Sequence, residues 1–410
     1  MAETPWSDRI AQRALGAQSS AIRELLKLTE DPEVISFGGG MPAPEAFPLA
    51  EMRVAAERVL ADHGAAALQY SATEGYRPLR ELLVRHMARY GIVVSPDNVL
   101  VTTGSQQALD LIGRLFINPG DRVLTEEPTY LGALQAWRAY EAQYLPVPID
   151  QDGMRVDRLE DTLRAGPKFL YVLPNFQNPG GVTLSLARRR RIVELADHYG
   201  VPIVEDDPYG QLRYEGDHLP PIVLLDAEHH GCAHGERSFR GGVIYLGTLS
   251  KTLAPGLRVG WVVAPEEVIR RLVILKQGMD LHSSTFAQMV AYETARGGFI
   301  DRHVRVIRKI YGQRRNAMLA ALDRHFPKTV HWTRPEGGLF LWVTLPQGLD
   351  SAALLRDALA EKVAFVPGRS FFPRDGGAGT FRLNFSFCTP ERIEEGIARL
   401  GRVLRRRLPA

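Results

Sequence analysis

Gly247-Thr248-Leu249-Ser250-Lys251-Thr252-Leu253-Ala254-Pro255-Gly256-Leu257-Arg258-Val259-Gly260-Trp261 places one lysine and one arginine between two apolar runs, Val243 to Leu246 and Trp261 to Val263. Short runs of this composition read as buried strands. A lysine held between two of them loses water and becomes nucleophilic. The plainer alternative is a surface lysine in a loop. The small, hydroxyl-bearing neighbours Thr248, Ser250 and Thr252 weaken it, because they suit close approach to a phosphorylated ligand. A superficial likeness to a P-loop fails on the glycine spacing before Lys251-Thr252.

Four more strand candidates lie upstream: Val99 to Thr103, Arg122 to Thr125, Phe169 to Leu173 and Pro202 to Glu205. Amphipathic stretches such as Gln106 to Phe116 and Arg189 to His198 separate some of them, and this alternation predicts an α/β fold. Ser19 to Thr29 reads as a short helix with a serine start signal, leading into the turn Gly38-Gly39-Gly40. Beyond about Asp301 the pattern turns helical, then mixed, and finishes on a helix from Pro390 to Leu408. A large central domain and a smaller one built from both chain ends are expected. Gly231 to Gly242 and Pro373 to Gly379 read as insertions rather than linkers.

The chain has 410 residues, 45% of them hydrophobic and 24% charged, which suits a globular protein with a large core. Lys and Arg number 50 against 47 for Asp and Glu, so the net charge of +3 gives no electrostatic case for nucleic acid. A small charged metabolite is the expected partner. Cys232 and Cys388 are too few and too far apart for a disulfide framework. Met1 to Ile10 carries Glu3 and Asp8 and no apolar stretch fit for secretion, and no run of ~18 apolar residues exists to span a membrane. The expectation is a cytoplasmic protein. His229-His230-Gly231-Cys232-Ala233-His234 offers metal-binding donor types, but its spacing matches no common zinc pattern, so no metal is expected. Arg188 to Arg191 opens an amphipathic helix and reads as solvated charge.

Chemistry appears at the strand ends, where ligands gather in open α/β sheets. Val99 to Thr103 runs into Gly104-Ser105-Gln106 and a helix, so free N–H groups would face an anion, although a glycine turn there is often plain connection. Pro202 to Glu205 delivers Asp206, with Tyr209 three residues on. A carboxylate so placed can hold a protonated ring nitrogen or simply cap the next turn. Asn178, in Pro174-Asn175-Phe176-Gln177-Asn178-Pro179-Gly180-Gly181, also admits a turn role. Arg382 and Asn384 alternate with Phe381, Leu383 and Phe385, which argues against an exposed strand face.

Together, Ser250-Lys251 with Arg258, Asn178-Pro179-Gly180, Asp206-Asp207-Pro208-Tyr209 and Gly104-Ser105-Gln106 resemble the fold-type I aminotransferases, which depend on pyridoxal 5'-phosphate. Order and separations agree from about Ile22 to the C-terminus. The resemblance is closest to the branch of 2-aminoadipate aminotransferases and kynurenine aminotransferase II. It implies a large domain with a mostly parallel seven-stranded sheet and a smaller α+β domain. The corresponding divisions are 1–58 (N-terminal arm and part of the small domain), 59–304 (large cofactor-binding domain) and 305–410 (C-terminal small domain).

The resemblance makes Lys251 the Schiff-base lysine, Asp206 the partner of the pyridinium nitrogen, and Tyr209 and Asn178 the partners of the ring hydroxyl oxygen. It sets Gly104, Ser105, Gln106, Thr248, Ser250 and Arg258 around the phosphate and stacks Tyr130 on the ring. Tyr70 resembles the tyrosine that reaches the neighbouring subunit's phosphate, so a homodimer is implied. Arg382, assisted by Asn178, would fix the α-carboxylate of the substrate. Gly39 and Gly40 would let the backbone approach it. Arg23 resembles an arginine on a mobile N-terminal helix that binds a distal carboxylate.

The implied reaction moves an amino group between an L-amino acid (2-aminoadipate, glutamate, leucine or aromatic) and a 2-oxo acid such as 2-oxoglutarate. The same scaffold serves lyases, decarboxylases and the effector domains of MocR-type regulators. The regulator class needs a winged-helix domain first, and the roughly thirty-five residues before Ser36 are too few for one.

Overall fold

Six apolar runs legible in the sequence become strands of one sheet in the computed structural model, which describes residues 6–15, 31–231, 239 and 241–408. Arg23, the Ser19 to Thr29 segment, Cys232 and His234 lie outside the described residues. The sheet has eight strands rather than seven, in the spatial order Val99–Thr103, Val259–Val263, Val243–Thr248, Ile203–Asp206, Leu170–Val172, Arg122–Glu127, Gln143–Asp150 and Gly153–Met154. The eighth is a two-residue strand that folds back on its neighbour, pairing Ile149 with Met154, and closes the edge.

Val259–Val263 runs antiparallel to both neighbours, Val99–Thr103 and Val243–Thr248, while the strands from Val243–Thr248 through to Gln143–Asp150 are parallel. The reversal of Val259–Val263 matters for chemistry. It brings Arg258, at the beginning of its strand, to the same sheet edge as the carboxyl ends of the others, where Thr103, Asp206 and Thr248 terminate.

Helices cover both faces, as buried parallel strands require. Leu79, Leu83, Val101, Leu124, Val172, Ile203 and Trp261 pack on one side, and Leu100, Ile112, Trp137, Phe169, Tyr171, Val204 and Val262 on the other. A second, antiparallel sheet of four strands, in the order His331–Trp332, Phe340–Thr344, Thr380–Asn384 and Val366–Pro367, is backed by the helix Pro390–Arg407. Ile35–Ser36 pairs in parallel with Val363–Ala364. Phe37 N–H then donates to the Ala364 carbonyl, and the Phe37 carbonyl accepts from Asn384 N–H, so the glycine turn that follows is anchored to this smaller sheet. Positions 58/59 fall inside the helix Leu49–Ala67, which kinks at His63, and positions 304/305 inside the helix Phe299–His325. Among the described residues no helix is long and apolar enough to cross a membrane.

Candidate active site

The strand Thr380–Asn384 turns Phe381 and Leu383 into the small core, so Arg382 must face the opposite way, toward the large sheet. It is 1% exposed. Its guanidinium lies over the rings of Phe340 (4.1 Å) and Phe371 (5.0 Å), donating to Asn178 Oδ1 (2.8 Å) and the Gly38 carbonyl (2.6 Å). Nε is buried with no partner. A buried arginine with an unused donor is an acceptor-seeking group, and a carboxylate is the acceptor its fork matches.

Lys251 follows the strand Val243–Thr248 and points its Nζ at the Gly40 carbonyl, 2.7 Å away. Burial lowers its pKa to about 8, with the charges of Arg382 and Arg258 acting in the same direction. An amine in that state is a competent nucleophile and proton carrier near neutral pH. The turn Gly38-Gly39-Gly40 thus gives one carbonyl to each of the two central cations, with Gly39 buried between them. A side chain at Gly40 would press on the Phe340 ring, 3.2 Å from the position of its Cβ.

Asp206 closes the floor of the site. It is 3% exposed; Oδ2 accepts from the Tyr171 hydroxyl (2.8 Å), and Oδ1 is buried without a partner. Burial pushes its pKa up to about 7, against the lowering effect of the Tyr171 hydrogen bond, with the Asp207 charge adding to the rise. An orphaned carboxylate oxygen in an apolar floor calls for a cationic N–H. Tyr130 and Tyr209 are close enough to feel the charges of Asp206 and Arg382. Burial raises both phenols, Tyr130 feels the charges of Asp206, Arg382 and Arg258, and Tyr209 is hydrogen-bonded with Asn178. The Tyr130 ring lies over Gly132, where a Cβ would come within 2.5 Å of it.

The anion side is built by Gly104, whose φ of +74° and missing side chain make room for Arg258: a Cβ there would sit 2.3 Å from the guanidinium. Ser105 begins the helix Ser105–Phe116 with its hydroxyl buried and unpartnered. Thr248 Oγ1 donates to Ser250 Oγ (2.9 Å). The Gln106 side chain donates through Nε2 to the Gly132 carbonyl (2.9 Å). Tyr70 is 78% exposed and packs edge-on to His282.

The residues present therefore fit pyridoxal phosphate. An unpartnered carboxylate oxygen suits its ring nitrogen, a lysine its aldehyde carbon, and an unpartnered serine hydroxyl at a helix N-terminus its phosphate. Tyr171, Phe340 and Phe371 were not singled out in the sequence. Tyr171 had a faint signal, a phenol on the same strand face as Phe169 and Leu173. A cleft of about 1020 Å³ beyond Gly180 and Gly181 contains none of the candidate residues. His229 and His230 both lie against Asp197, and no group of three or more His, Cys, Asp or Glu side chains fit for a metal occurs among the described residues.

The same fold and chain length recur in known proteins. The chain is 48% identical over 402 residues (96% of this chain, 94% of the relative) to aromatic-amino-acid aminotransferase 1 of Thermococcus litoralis. The alpha-aminoadipate aminotransferase of Thermus thermophilus, solved with N-(5'-phosphopyridoxyl)-L-leucine, superposes with a TM-score of 0.90 at 44% identity, covering 98% of each chain. The kynurenine aminotransferase of Pyrococcus horikoshii gives a TM-score of 0.92 at 45% identity over 99% of each chain. The family model for aminotransferase class I and II matches residues 32–400, and the chain belongs to that family.

Proposed function

We propose that this chain is a pyridoxal phosphate-dependent aminotransferase. It transfers an amino group between an L-amino acid, such as 2-aminoadipate, glutamate, leucine or an aromatic amino acid, and a 2-oxo acid such as 2-oxoglutarate. The observation that carries this reading is one buried space holding a lysine of lowered pKa, an orphaned Asp206 oxygen and an arginine with an unused donor.

Lys251 is the point of covalent attachment. When bound, the cofactor supplies an electron sink for the pair left at the substrate Cα on loss of its proton. Asp206, as a carboxylate, keeps a proton on the ring nitrogen. Tyr209 and Asn178 donate to the ring hydroxyl oxygen, and Tyr130 stacks on the ring. Gly104, Ser105, Gln106, Thr248, Ser250 and Arg258 hold the phosphate. Lys251, once released, carries the proton away from the substrate Cα. Arg382 with Asn178 grips the α-carboxylate, Gly39 and Gly40 give the substrate room, and Arg23 takes a distal carboxylate. A homodimer in which Tyr70 reaches the partner's phosphate accounts for the 78% exposure of that side chain in one copy. The domain division 1–58, 59–304 and 305–410 and a cytoplasmic location belong to the same reading.

The test is the visible absorbance of purified protein with bound cofactor after adding glutamate, 2-aminoadipate or leucine, with the products identified. A shift to the pyridoxamine form with release of the matching 2-oxo acid is expected. Release of carbon dioxide, ammonia or a β-leaving group instead would place the chain among decarboxylases or lyases.

Arg382→Lys is expected to lower kcat/KM by ~10²- to 10³-fold for glutamate and leucine alike, because a lysine cannot match a carboxylate bidentately in a desolvated site. Steady-state kinetics with both donors check it. A loss confined to glutamate would move Arg382 from the α-carboxylate to the distal one.

A further inference from the structure

A second polar cluster lies behind the anion side of the site and touches none of the groups assigned to substrate. Its centre is Lys276, on the helix Glu266–Asp280, whose side chain is fully buried. Its ammonium donates to Gln107 Oε1 (2.9 Å), Asp280 Oδ1 (2.6 Å) and Ser283 Oγ (3.1 Å), which uses all three of its protons. The other Asp280 oxygen accepts from Thr103 Oγ1 (2.9 Å) and Gln107 Nε2 (2.7 Å). Gln107 Oε1 also accepts from the Thr103 backbone N–H (2.8 Å), and Thr103 Oγ1 lies 2.9 Å from Ser283 Oγ.

The hydrogen bonds of Lys276 and Asp280 converge, directly or through Ser283, on Thr103, the last residue of its strand, and on Gln107, in the first turn of the next helix. Between them lie only Gly104, whose N–H is turned to the Thr102 carbonyl, and Ser105 and Gln106, at the start of the helix, with the Ser105 hydroxyl left unpartnered. Thr103 is held through its N–H and its hydroxyl, while its carbonyl accepts from Arg258 (3.4 Å). A buried ion pair is a poor device for stability, because desolvation offsets most of its attraction and an apolar pair of similar volume serves as well. What a fully hydrogen-bonded cluster does provide is a single geometry for the backbone it grips.

We propose that Lys276 and Asp280 are positioning residues that lock Thr103 and Gln107, and thereby set the affinity of the Gly104-Ser105-Gln106 cradle for the cofactor phosphate without touching the cofactor. The proposal rests on the pyridoxal phosphate reading above. It separates from that reading experimentally, because it concerns the difference between a ligand with a phosphate and the same ligand without one.

The experiment titrates cofactor-free protein with pyridoxal phosphate and, separately, with pyridoxal, following absorbance, for wild type, Lys276→Met and Thr103→Val. The Thr103→Val exchange keeps the side-chain shape and removes the hydroxyl's contacts with Asp280 and Ser283, so it reports even if Lys276→Met does not fold. The expected result is a ~10-fold rise in Kd for pyridoxal phosphate, about the loss of one charge-assisted hydrogen bond. Pyridoxal affinity should stay within about twofold, as should kcat at saturating pyridoxal phosphate. Equal weakening of both ligands would mark the cluster as general scaffolding and overturn the proposal. An unchanged Kd for pyridoxal phosphate in a folded variant would overturn it too. A wild type that binds neither ligand would instead remove the cofactor reading on which the proposal stands.

Discussion

Lys251→Ala is expected to lower transamination by about 10⁴-fold or more, the combined loss of a nucleophile and of the group that moves the Cα proton. The structural cost should be small. In the folded chain the ammonium makes one hydrogen bond, to the Gly40 carbonyl, and burial together with the charges of Arg382 and Arg258 already lowers its pKa to about 8. Removing a cation from beside two others relieves repulsion, so the variant should fold and still bind the cofactor without a covalent link. Rapid-mixing measurement of the half-reaction with glutamate, beside denaturation of the bound form to detect covalent attachment, checks the prediction. A variant that keeps attachment through another lysine, or turns over within about tenfold of wild type, would remove Lys251 from its assigned role.

Asp206→Asn is the second large effect, an expected loss of about 10³-fold in kcat, because an amide cannot hold a proton on the ring nitrogen as a carboxylate does. Its stability behaviour should run the opposite way. In cofactor-free protein, burial raises the Asp206 pKa from the ordinary 3.8 to about 7. Across that window the folded chain keeps a proton that the unfolded chain has released, so stability falls as pH rises through it and stays lowered above it. A shift of this size corresponds to a few kcal/mol at most. The neutral amide of the variant would carry no such penalty, and its oxygen would still accept from the Tyr171 hydroxyl. Cofactor-free Asp206→Asn should therefore melt higher than cofactor-free wild type at pH 8, and the gap should close toward pH 4. Thermal melts of both cofactor-free proteins at the two pH values test this. A variant that melts lower at pH 8 would mean that the carboxylate is better solvated than its burial suggests.

The strands that the sequence marks are those buried on both faces. Val99–Thr103 has the predicted bounds, and Arg122, Val243 and the Trp261 region begin or contain observed strands within two residues of the expected ends. Gln143–Asp150 escaped because Pro146 and Pro148 break the strand pattern and only Val147 in it is buried, a composition tolerated next to a sheet edge and misleading in isolation. The helix Pro390–Arg407 was legible for the opposite reason, a clean apolar stripe over eighteen residues.

The candidate site residues were legible wherever they sit at a strand end in a distinctive local setting, as Lys251, Asp206, Arg258 and the Gly104-Ser105-Gln106 turn do. What the sequence determined by itself was this local part, the alternation that dictates an α/β sheet and the motifs at its edge, since periodicity and turn chemistry are written in neighbouring residues. Only the tertiary structure decided which carbonyls answer Lys251 and Arg382, that Tyr171 holds Asp206, that Phe340 and Phe371 flank Arg382, and that the Lys276–Asp280 pair grips Thr103. Those partners come together from segments near residues 40, 103, 171, 276, 340 and 382. A hydrogen bond or a burial between residues so far apart in the chain exists only once the sheet has closed around both, so no local pattern records it.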